Sequence, residues 1–301
     1  MNNSTRTDDS MLNDYERLPL IVIWVIIIVV GVMGNITVIY IICRHAVKSA
    51  TTIYILSLAI ADIAFLTIVV PPTLLMFIGN FPVLIKYSNL VEFFSAVTVH
   101  VTCWTLMAMT IDRYHAVAYP IKSMRWRNTK TSSVISLGVW IVSAVLSVPR
   151  TILEYNTEWS STVSLKVSGV ILVLTTYGIP LLAIMTSYAK ILYTLHTRNE
   201  ATLKEQTKKT KSTHRTRKAT KTVVVLILLF ACSWGPVQVL VLWGDLDPNF
   251  PRTMPVLKFK LFAHTLSYAN SCMNPFVYAF MNATVRKALV IKLNTMCHCV
   301  H

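Results

Sequence analysis

The chain has 301 residues, of which 54% are hydrophobic and 14% are charged, with a mean hydropathy of +0.57. A soluble globular protein normally contains about 25% charged residues, so the composition excludes an ordinary soluble globule, and it equally excludes disorder, which needs polar, charge-rich sequence. The formal net charge of +15 would suit a nucleic-acid-binding protein, and that interpretation depends on where the basic residues lie.

Seven segments contain enough consecutive apolar residues to cross a bilayer as helices, which takes about 20 residues each. They are residues 18–43, 52–77, 89–119, 132–149, 168–195, 220–243 and 256–280. The first is longer than the apolar run of a signal peptide, and no small-residue cleavage site follows it, so we interpret it as a membrane anchor.

The basic residues are divided unevenly between the two ends of these spans. Most of the 28 Lys and Arg residues follow spans one, three, five and seven. Because basic loops remain cytoplasmic, we expect a multi-pass plasma-membrane protein with its amino terminus outside and its carboxyl terminus inside. Topology thus accounts for the charge, no base-stacking module accompanies it, and nucleic acid is not an expected partner.

These patterns predict an all-α membrane protein. It has an extracellular tail at 1–17, a seven-transmembrane helix bundle at 18–280, and a short amphipathic eighth helix with a cytoplasmic tail at 281–301. Asn2 and Asn3 begin overlapping sequons in the outer tail, which fit glycosylation. Cys297 and Cys299 lie in the inner tail, where both palmitoylation and unmodified thiols remain open.

A single carboxylate lies in the middle of the second span. Asp62 would cost roughly 2.5–3.5 kcal/mol at mid-membrane, so we expect it to face the bundle interior. Its expected neighbours are polar residues of spans one, three and seven: Asn35, Thr102, Asn270, Ser271 and Asn274. This group fits a small hard cation such as sodium, and it fits a hydrogen-bonded or protonated Asp62 equally well.

The third span ends in Asp112-Arg113-Tyr114 at the inner membrane surface. An Asp–Arg pair at this position fits a simple anchor, and it also fits a latch that releases Arg113 to a partner protein. Prolines such as Pro236 and Pro275 interrupt several spans and allow bent helices, which is compatible with signalling and with transport.

Several motifs occur together, each in its expected span. They are Gly34-Asn35, Asp62, Asp112-Arg113-Tyr114, Trp140, Pro180 with Tyr188, Phe230 with Trp234-Gly235-Pro236, and Asn274-Pro275 with Tyr278. As an ordered set they resemble the rhodopsin-like (class A) G-protein-coupled receptors over essentially the whole chain. Residues 102–109, 229–238 and 266–271 are most similar to the kisspeptin, galanin and allatostatin-A group of neuropeptide receptors.

The resemblance implies roles for these residues. An allosteric sodium ion, with no other cofactor or metal, is implied at Asp62, Thr102, Asn270, Ser271 and Asn274. Trp234 is implied to be a toggle beneath the ligand, with Phe230 as its packing partner. Coupling to a heterotrimeric G protein is implied for Asp112, Arg113, Tyr114, Tyr188, Phe230, Trp234, Pro236, Asn274, Pro275 and Tyr278. Arrestin and membrane lipid are further implied partners, and no catalytic residue is expected.

The chain departs from the family pattern at its outer end. The family ties span three to the second outer loop by a disulfide, but no cysteine lies near Ser88, so we expect none here. Residues 162–167 alternate polar and apolar side chains, which predicts a lid strand in that loop. Thr216 stands where a long-range acidic partner of Arg113 would lie.

The resemblance also narrows the ligand. Amine receptors carry an Asp where this chain has Ser95, and light-sensing members carry a retinal-linked Lys where it has Tyr268. We therefore expect an extracellular peptide, with outer acids such as Asp245 meeting its basic groups. The expected pocket consists of Glu92, Ser95, Thr98, Gln238, His264 and Tyr268 over Trp234. Taken singly, each of these residues also fits an ordinary structural role.

Three alternatives to a peptide receptor remain open. The missing disulfide motivates a constitutively active or orphan receptor without a peptide ligand. A transporter would show inverted repeats and helices broken at mid-membrane, and neither is detectable. A membrane enzyme is the weakest alternative, because no H-E-x-x-H or G-x-S-x-G motif occurs and Asp62 has no second acid at its depth.

Overall fold

The computed structural model describes residues 13–44, 49–79, 81–155, 162–202 and 210–281. Within these ranges the chain forms seven long helices, with single helical turns at Pro82–Lys86 and Pro120–Met124. The long helices are α1 (Asp14–Arg44), α2 (Ala50–Ile78), α3 (Ser88–Ala118), α4 (Thr129–Tyr155), α5 (Thr162–Val173, Leu174–Gly178 and Ile179–Thr202), α6 (Thr210–Leu246) and α7 (Met254–Met281).

The predicted all-α fold is confirmed, and every predicted span coincides with one helix to within one residue or lies inside it. Six helices, α1 to α6, are long and apolar enough to cross a membrane. The helix α7 is more polar because it buries amide and hydroxyl side chains inside the bundle, among them Ser267, Asn270, Ser271 and Asn274. The predicted eighth helix, Asn2, Asn3, Cys297 and Cys299 lie outside the described residues.

Many large apolar side chains are exposed on the outer surface of the bundle, and many polar side chains are buried inside it, unlike in a soluble protein. Met33, Leu137 and Met185 are each more than 60% exposed on the outer surface of the bundle, whereas Asn35 and His100 are completely buried. Exposed apolar side chains around an interior that contains the polar groups are expected where hydrocarbon, and not water, surrounds the protein. The four cysteines that the structure describes, Cys43, Cys103, Cys232 and Cys272, are free.

Side-chain caps define where two of the helices begin. The Ser49 backbone N–H donates to Thr52 Oγ1 at 2.8 Å, and the Thr52 N–H donates to Ser49 Oγ at 3.3 Å, which forms a reciprocal capping box for α2. Asn128 Oδ1 accepts from the Thr131 N–H at 2.8 Å at the start of α4. These short polar side chains replace the intrahelical partners that the first N–H groups lack.

A π-helical turn interrupts α2 and another interrupts α5, each close to a proline. In α2 the turn Phe65–Val69 precedes Pro71 and Pro72, which have no N–H to donate. In α5 the turn Leu174–Gly178 precedes Pro180 and directs groups toward other helices. There Trp104 Nε1 donates to the Thr175 carbonyl at 2.9 Å, and Tyr177 Oη donates to the Ala231 carbonyl at 2.8 Å.

The predicted lid strand at 162–167 is wrong, because these residues form the first turns of α5. A helix satisfies its backbone N–H and C=O groups within one segment, whereas an isolated strand leaves both edges unpaired at the membrane boundary. The short polar–apolar alternation carried too little information to separate the two structures. The outer end of α5 therefore continues the bundle.

Candidate functional site

The buried carboxylate Asp62 lies in a region where side-chain hydrogen bonds connect α1, α2 and α7. Asn274 Nδ2 of α7 donates to Asp62 Oδ2 of α2 at 2.7 Å. Asn35 Nδ2 of α1 donates to the Ser271 carbonyl of α7 at 3.0 Å and to the Gly31 carbonyl at 2.9 Å. Of the residues predicted around Asp62, Asn274 thus bonds to the carboxylate itself, and Asn35 bonds to the backbone of α7.

Three oxygen acceptors in this region lack a hydrogen-bond donor among the described residues: Asp62 Oδ1, Asn35 Oδ1 and Asn270 Oδ1. A buried acceptor without a donor is unfavourable, and a cation or an ordered water would satisfy it. One carboxylate with neutral amide oxygens suits a monovalent hard cation better than a divalent one. Thr102 Oγ1, the predicted contribution of α3, donates to the Thr98 carbonyl at 2.9 Å.

Trp234 and Phe230 lie in a group of aromatic rings that crosses the bundle. The Phe65 ring lies 5.5 Å from Trp234 and 5.7 Å from Tyr268. Trp24 of α1 continues the group, with its ring 5.1 Å from Tyr268. Ring pairs at these separations contribute about 0.5–1.5 kcal/mol beyond their buried area. A displacement of Trp234 must therefore be accommodated in α2 and α7.

Sequence reasoning did not identify Phe65 and Trp24 as members of this group. Phe65 begins the π-helical turn of α2, whose local geometry decides where its ring points. Trp24 lies in an almost uniformly apolar helix, where no periodic pattern distinguishes an inward position from a lipid-facing one. Its Nε1 donates to Thr265 Oγ1 of α7 at 2.8 Å, which is the polar contact that fixes the ring.

The predicted pocket residues occupy the outer half of the bundle in two groups. On α3, Glu92 is exposed, Ser95 is partly buried and Thr98 is buried, so the three positions lead inward. Thr98 Oγ1 donates to carbonyls of its own helix, those of Phe94 at 2.8 Å and Ser95 at 2.9 Å.

The second group lies on α6 and α7. Gln238 is buried, and its Oε1 accepts from Thr176 Oγ1 of α5 at 3.5 Å. The His264 ring lies 5.9 Å from Tyr268, and Tyr268 is packed among the aromatic rings on Trp24 and Phe65. The structure therefore brings His264, Tyr268 and Trp234 into one aromatic group and turns Gln238 toward α5.

At the inner end, Asp112 has a closer partner than its neighbour Arg113. Arg127 Nε donates to Asp112 Oδ1 at 2.8 Å, and Arg127 Nη2 donates to Oδ2 at 2.9 Å. The Arg113 Nη2 atom lies 3.9 Å from Asp112 Oδ2. Two parallel charge-assisted hydrogen bonds are stronger than one long ion pair. Sequence reasoning treated Arg127 only as one of the basic loop residues, and no local signal distinguishes it from Arg125.

The remaining predicted switch residues lie on α3, α5, α6 and α7. Tyr278 is completely buried, and its hydroxyl has no hydrogen-bond partner within the part of the chain that the structure describes. The Lys190 ammonium lies 5.9 Å from the ring of Tyr114. Tyr188 is partly buried on α5, while Pro236 and Pro275 lie inside α6 and α7. An unpaired buried hydroxyl is unfavourable, and an ordered water or another arrangement of the helices would satisfy it.

At the outer end, Asp245 of α6 is bound by Arg150 of α4. Arg150 Nη1 lies 2.8 Å from Asp245 Oδ2, and Nη2 lies 3.1 Å from Oδ1. The same Nη1 lies 3.3 Å from Ser168 Oγ and 3.3 Å from the Leu165 carbonyl of α5. The cluster of Arg150, Asp245, Ser168 and the Leu165 carbonyl is called the outer clamp below. Asp245 thus pairs with an arginine of the chain itself, whereas the sequence analysis predicted that it would meet a basic group of the ligand.

Comparison with known proteins agrees with this architecture. The model of a family described as "7 transmembrane receptor (rhodopsin family)" matches residues 34–278. The G-protein coupled receptor 54 of Oreochromis niloticus is 34% identical over 287 residues, which cover 87% of this chain and 75% of that protein. The human KiSS-1 receptor is 31% identical over 287 residues, covering 87% of this chain and 71% of that protein.

The human galanin receptor type 1 is 30% identical over 293 residues, covering 91% of this chain and 81% of that protein. The family model matches from residue 34, in α1, to residue 278, in α7, and therefore covers part of α1, most of α7 and the whole of α2 to α6. The chain belongs to the rhodopsin family of seven-transmembrane G-protein-coupled receptors, which are receptors and not enzymes.

Proposed function

We propose that this chain is a plasma-membrane receptor for an extracellular neuropeptide and that it transmits ligand binding to a heterotrimeric G protein. The observation that carries the proposal is the aromatic group joining the outer residues His264 and Tyr268 to Trp234 and Phe230 of α6. It connects the predicted ligand pocket to a helix that contains an internal proline. The amino terminus is proposed to be outside and the carboxyl terminus inside.

A peptide is supported by the pocket residues and by the relatives, which include receptors named for KiSS-1 and galanin. Ser95 and Tyr268 replace the charged residues that amine and retinal ligands use. Gln238 and Thr98 supply hydrogen-bonding groups for an amidated peptide terminus, and Glu92 supplies an exposed carboxylate for a basic side chain. Glu92 is the proposed acidic contact, because its side chain is exposed near the outer end of α3.

Signal transmission is proposed to be a shift between two arrangements of the bundle. A ligand that binds one arrangement better increases its population by that difference in affinity. Displacement of Trp234 allows α6 to swing about Pro236, and Tyr278 gains a partner for its buried hydroxyl. Asp62 and Asn274 lie between these regions and hold α2 against α7. A sodium ion at Asp62 would stabilise the inactive arrangement.

The inner end offers a contact surface for the G protein. Ile121 and Met124, in the turn Pro120–Met124, are 85% and 75% exposed. Exposed apolar side chains beside basic residues at the end of a bundle are typical of a protein interaction site. Arg113 lies near the inner end of α3, just before this turn, and its Nη2 atom is 3.9 Å from Asp112 Oδ2. Arrestin is proposed to use the same surface.

The test is a cell assay with a broad panel of neuropeptides, including amidated ones, read by several second messengers. We expect at least one peptide to raise a second messenger in wild-type cells, and Arg113→Ala to abolish the response at equal surface expression. Arg44→Ala, at an exposed arginine in the last turn of α1, is the matched control and is expected to respond. A panel that leaves every messenger unchanged in cells displaying the protein contradicts the peptide proposal.

A sodium dependence tests the role of Asp62 separately. We expect agonist affinity to fall as sodium replaces a large organic cation at constant ionic strength, and Asp62→Asn to remove that dependence. Substitution of Asn removes the charge and keeps the shape of the side chain. Equal sodium dependence in both proteins would rule out a cation at this carboxylate.

A second candidate is a receptor that signals without a ligand. The 3.9 Å separation between Arg113 and Asp112 favours it, because no hydrogen bond between these two side chains holds the arginine in an inactive position. This candidate predicts high basal signalling that Arg113→Ala abolishes. Basal signalling equal to that of untransfected cells would exclude it.

A further inference from the structure

A cavity of about 270 Å³ opens between α3 and α4 near their inner ends. Its walls are apolar and include Met107 and Ile111 of α3 and Ile135 and Val139 of α4, and its polar end is formed by Asp112 and Arg127. Ile111 and Ile135 are each 36% exposed, so the cavity is open on the side of the bundle that faces lipid. A ligand would enter it from the bilayer.

The size and lining of the cavity favour a single hydrocarbon chain. Pockets for drug-sized ligands usually measure about 300–1,000 Å³, and this cavity lies just below that range. Besides the ion pair of Asp112 and Arg127, the only polar groups of the lining are hydroxyls and indoles, those of Tyr54 on α2, Trp104 on α3, Trp126, Thr131 and Ser132. An apolar chain fits such walls, and its polar end would lie at the inner membrane surface.

The charges at that end favour an anion. Arg127 uses two of the five N–H groups of its guanidinium for Asp112, and its side chain remains 21% exposed. Lys122, Arg125 and Lys130 are exposed nearby, and no acidic residue occurs between Tyr119 and Lys130. The loop therefore presents excess positive charge at the depth where lipid phosphates lie.

We propose that this cavity binds one acyl chain of an anionic glycerophospholipid of the cytoplasmic leaflet. The phosphate and headgroup accept hydrogen bonds from the remaining N–H groups of Arg127 and pair with Arg125 and Lys130. A zwitterionic lipid of the same chain length fits the apolar walls equally well but brings no net charge to the rim. The site rests on the proposed membrane orientation, and it is independent of the peptide ligand and of the G protein.

The experiment is native mass spectrometry of the purified full chain, released from membranes of equimolar phosphatidylserine and phosphatidylcholine with identical chains. We expect phosphatidylserine to be retained, and Ile135→Trp, which fills the cavity, to remove that retention. Leu137→Trp is the matched control, because Leu137 is 62% exposed on α4 and does not line the cavity. It is expected to retain phosphatidylserine like the wild type.

A second variant tests the charge without touching the helix packing. Arg125→Gln combined with Lys130→Gln is expected to reduce the preference for phosphatidylserine by about fivefold for each cation removed. Two results would overturn the proposal: equal retention of both lipids by the wild type, and unchanged retention in Ile135→Trp. Loss of retention in Leu137→Trp would also overturn it, since binding would then not depend on the cavity.

Discussion

Two arginine–carboxylate pairs at opposite ends of the bundle differ in what they connect. The outer pair, Arg150 with Asp245, joins residues 95 positions apart on α4 and α6 and adds α5 through Ser168. The inner pair, Arg127 with Asp112, joins residues 15 positions apart and links α3 to the start of α4. Both have two short hydrogen bonds.

The difference indicates where the bundle is restrained. The outer pair resists separation of α4, α5 and α6 at the end where the family usually has a disulfide. The inner pair fixes a loop, does not involve α6, and leaves Arg113 with only a long contact to Asp112. The outer ends of α4, α5 and α6 are therefore restrained by an ion pair, whereas the inner ion pair leaves the inner end of α6 unrestrained. Movement at the cytoplasmic end is what the proposed coupling requires.

The largest expected effect comes from Gly169→Ala. A Cβ at Gly169 would overlap Asp245 Oδ2 and lie 2.8 Å from Asp245 Cγ, so the carboxylate must leave Arg150 or α5 must shift. Separation of a largely buried ion pair leaves a charge without its partner, and we expect a loss of about 3 kcal/mol in stability. Thermal unfolding of the purified protein measures it.

The control for this substitution is Gly138→Ala on α4, where a Cβ would meet nothing within 4 Å. Alanine is favoured over glycine in helices by about 0.5–1 kcal/mol, so this variant should be unchanged or slightly more stable. If both variants unfold at the same temperature, the close approach of α5 to Asp245 has no energetic role.

A smaller effect is expected from Asp245→Asn, which keeps the size of the side chain and removes its charge. Arg150 loses one of its two acceptors, because the amide nitrogen of asparagine donates and does not accept, and it loses the opposite charge. It keeps one hydrogen bond to the amide oxygen and its weaker contacts with α5, so the expected loss is about 2 kcal/mol. The unfolding temperature should fall less than in Gly169→Ala. Arg150→Lys tests the fork geometry, and a lysine variant as stable as the wild type would show that charge alone suffices.

At the inner end, Arg127→Gln should affect signalling more than stability. The pair is about as buried as Arg150 with Asp245, but Arg113 lies beside Asp112 as a second cation. Because Asp112 is not left without a positive neighbour, the expected loss of stability is only about 1 kcal/mol. The released Asp112 can then pair with Arg113, and the second-messenger response at equal surface expression should fall. Asp112→Asn added to Arg127→Gln should restore it. A response that does not recover in the double variant contradicts the competition between the two arginines.

The smallest effect is expected from Lys258→Gln. Lys258 Nζ lies 2.7 Å from Glu16 Oε1, but both side chains are well exposed at the outer surface. Water and salt screen such a pair, so the unfolding temperature should be unchanged within error. A clear decrease would mean that the start of α1 contributes to the outer end of the bundle as strongly as the outer clamp.

The sequence predicts the helices well because the bilayer leaves the backbone few alternatives. The length of each apolar run identifies each span. The one predicted strand, at residues 162–167, was wrong because it rested on an alternation of only six residues, whereas the bilayer favours a helix that satisfies its own backbone hydrogen bonds. The neighbours of Asp62 were predictable because the motifs of α1 and α7 place Asn35 and Asn274 at that depth.

The partners of the charged residues were not predictable in the same way. Whether Asp112 binds Arg113 or Arg127 depends on the path of the loop after α3, and whether Asp245 faces inward depends on the rotation of α6 relative to α4 and α5. The hydropathy of the sequence predicts neither the path of that loop nor the rotation of α6. Trp24 and Phe65 were missed for a related reason, since an apolar residue in an apolar helix does not reveal which way it points.

The polar character of α7 has a consequence for biosynthesis. A nascent helix leaves the translocation machinery for lipid when its own side chains favour hydrocarbon, and a segment carrying two asparagines does so poorly by itself. The last span must therefore insert against earlier spans that already present Asp62 and Asn35 to it. Substitution of Asp62 or Asn35 should therefore appear first as newly made chains whose carboxyl terminus is on the extracellular side of the membrane.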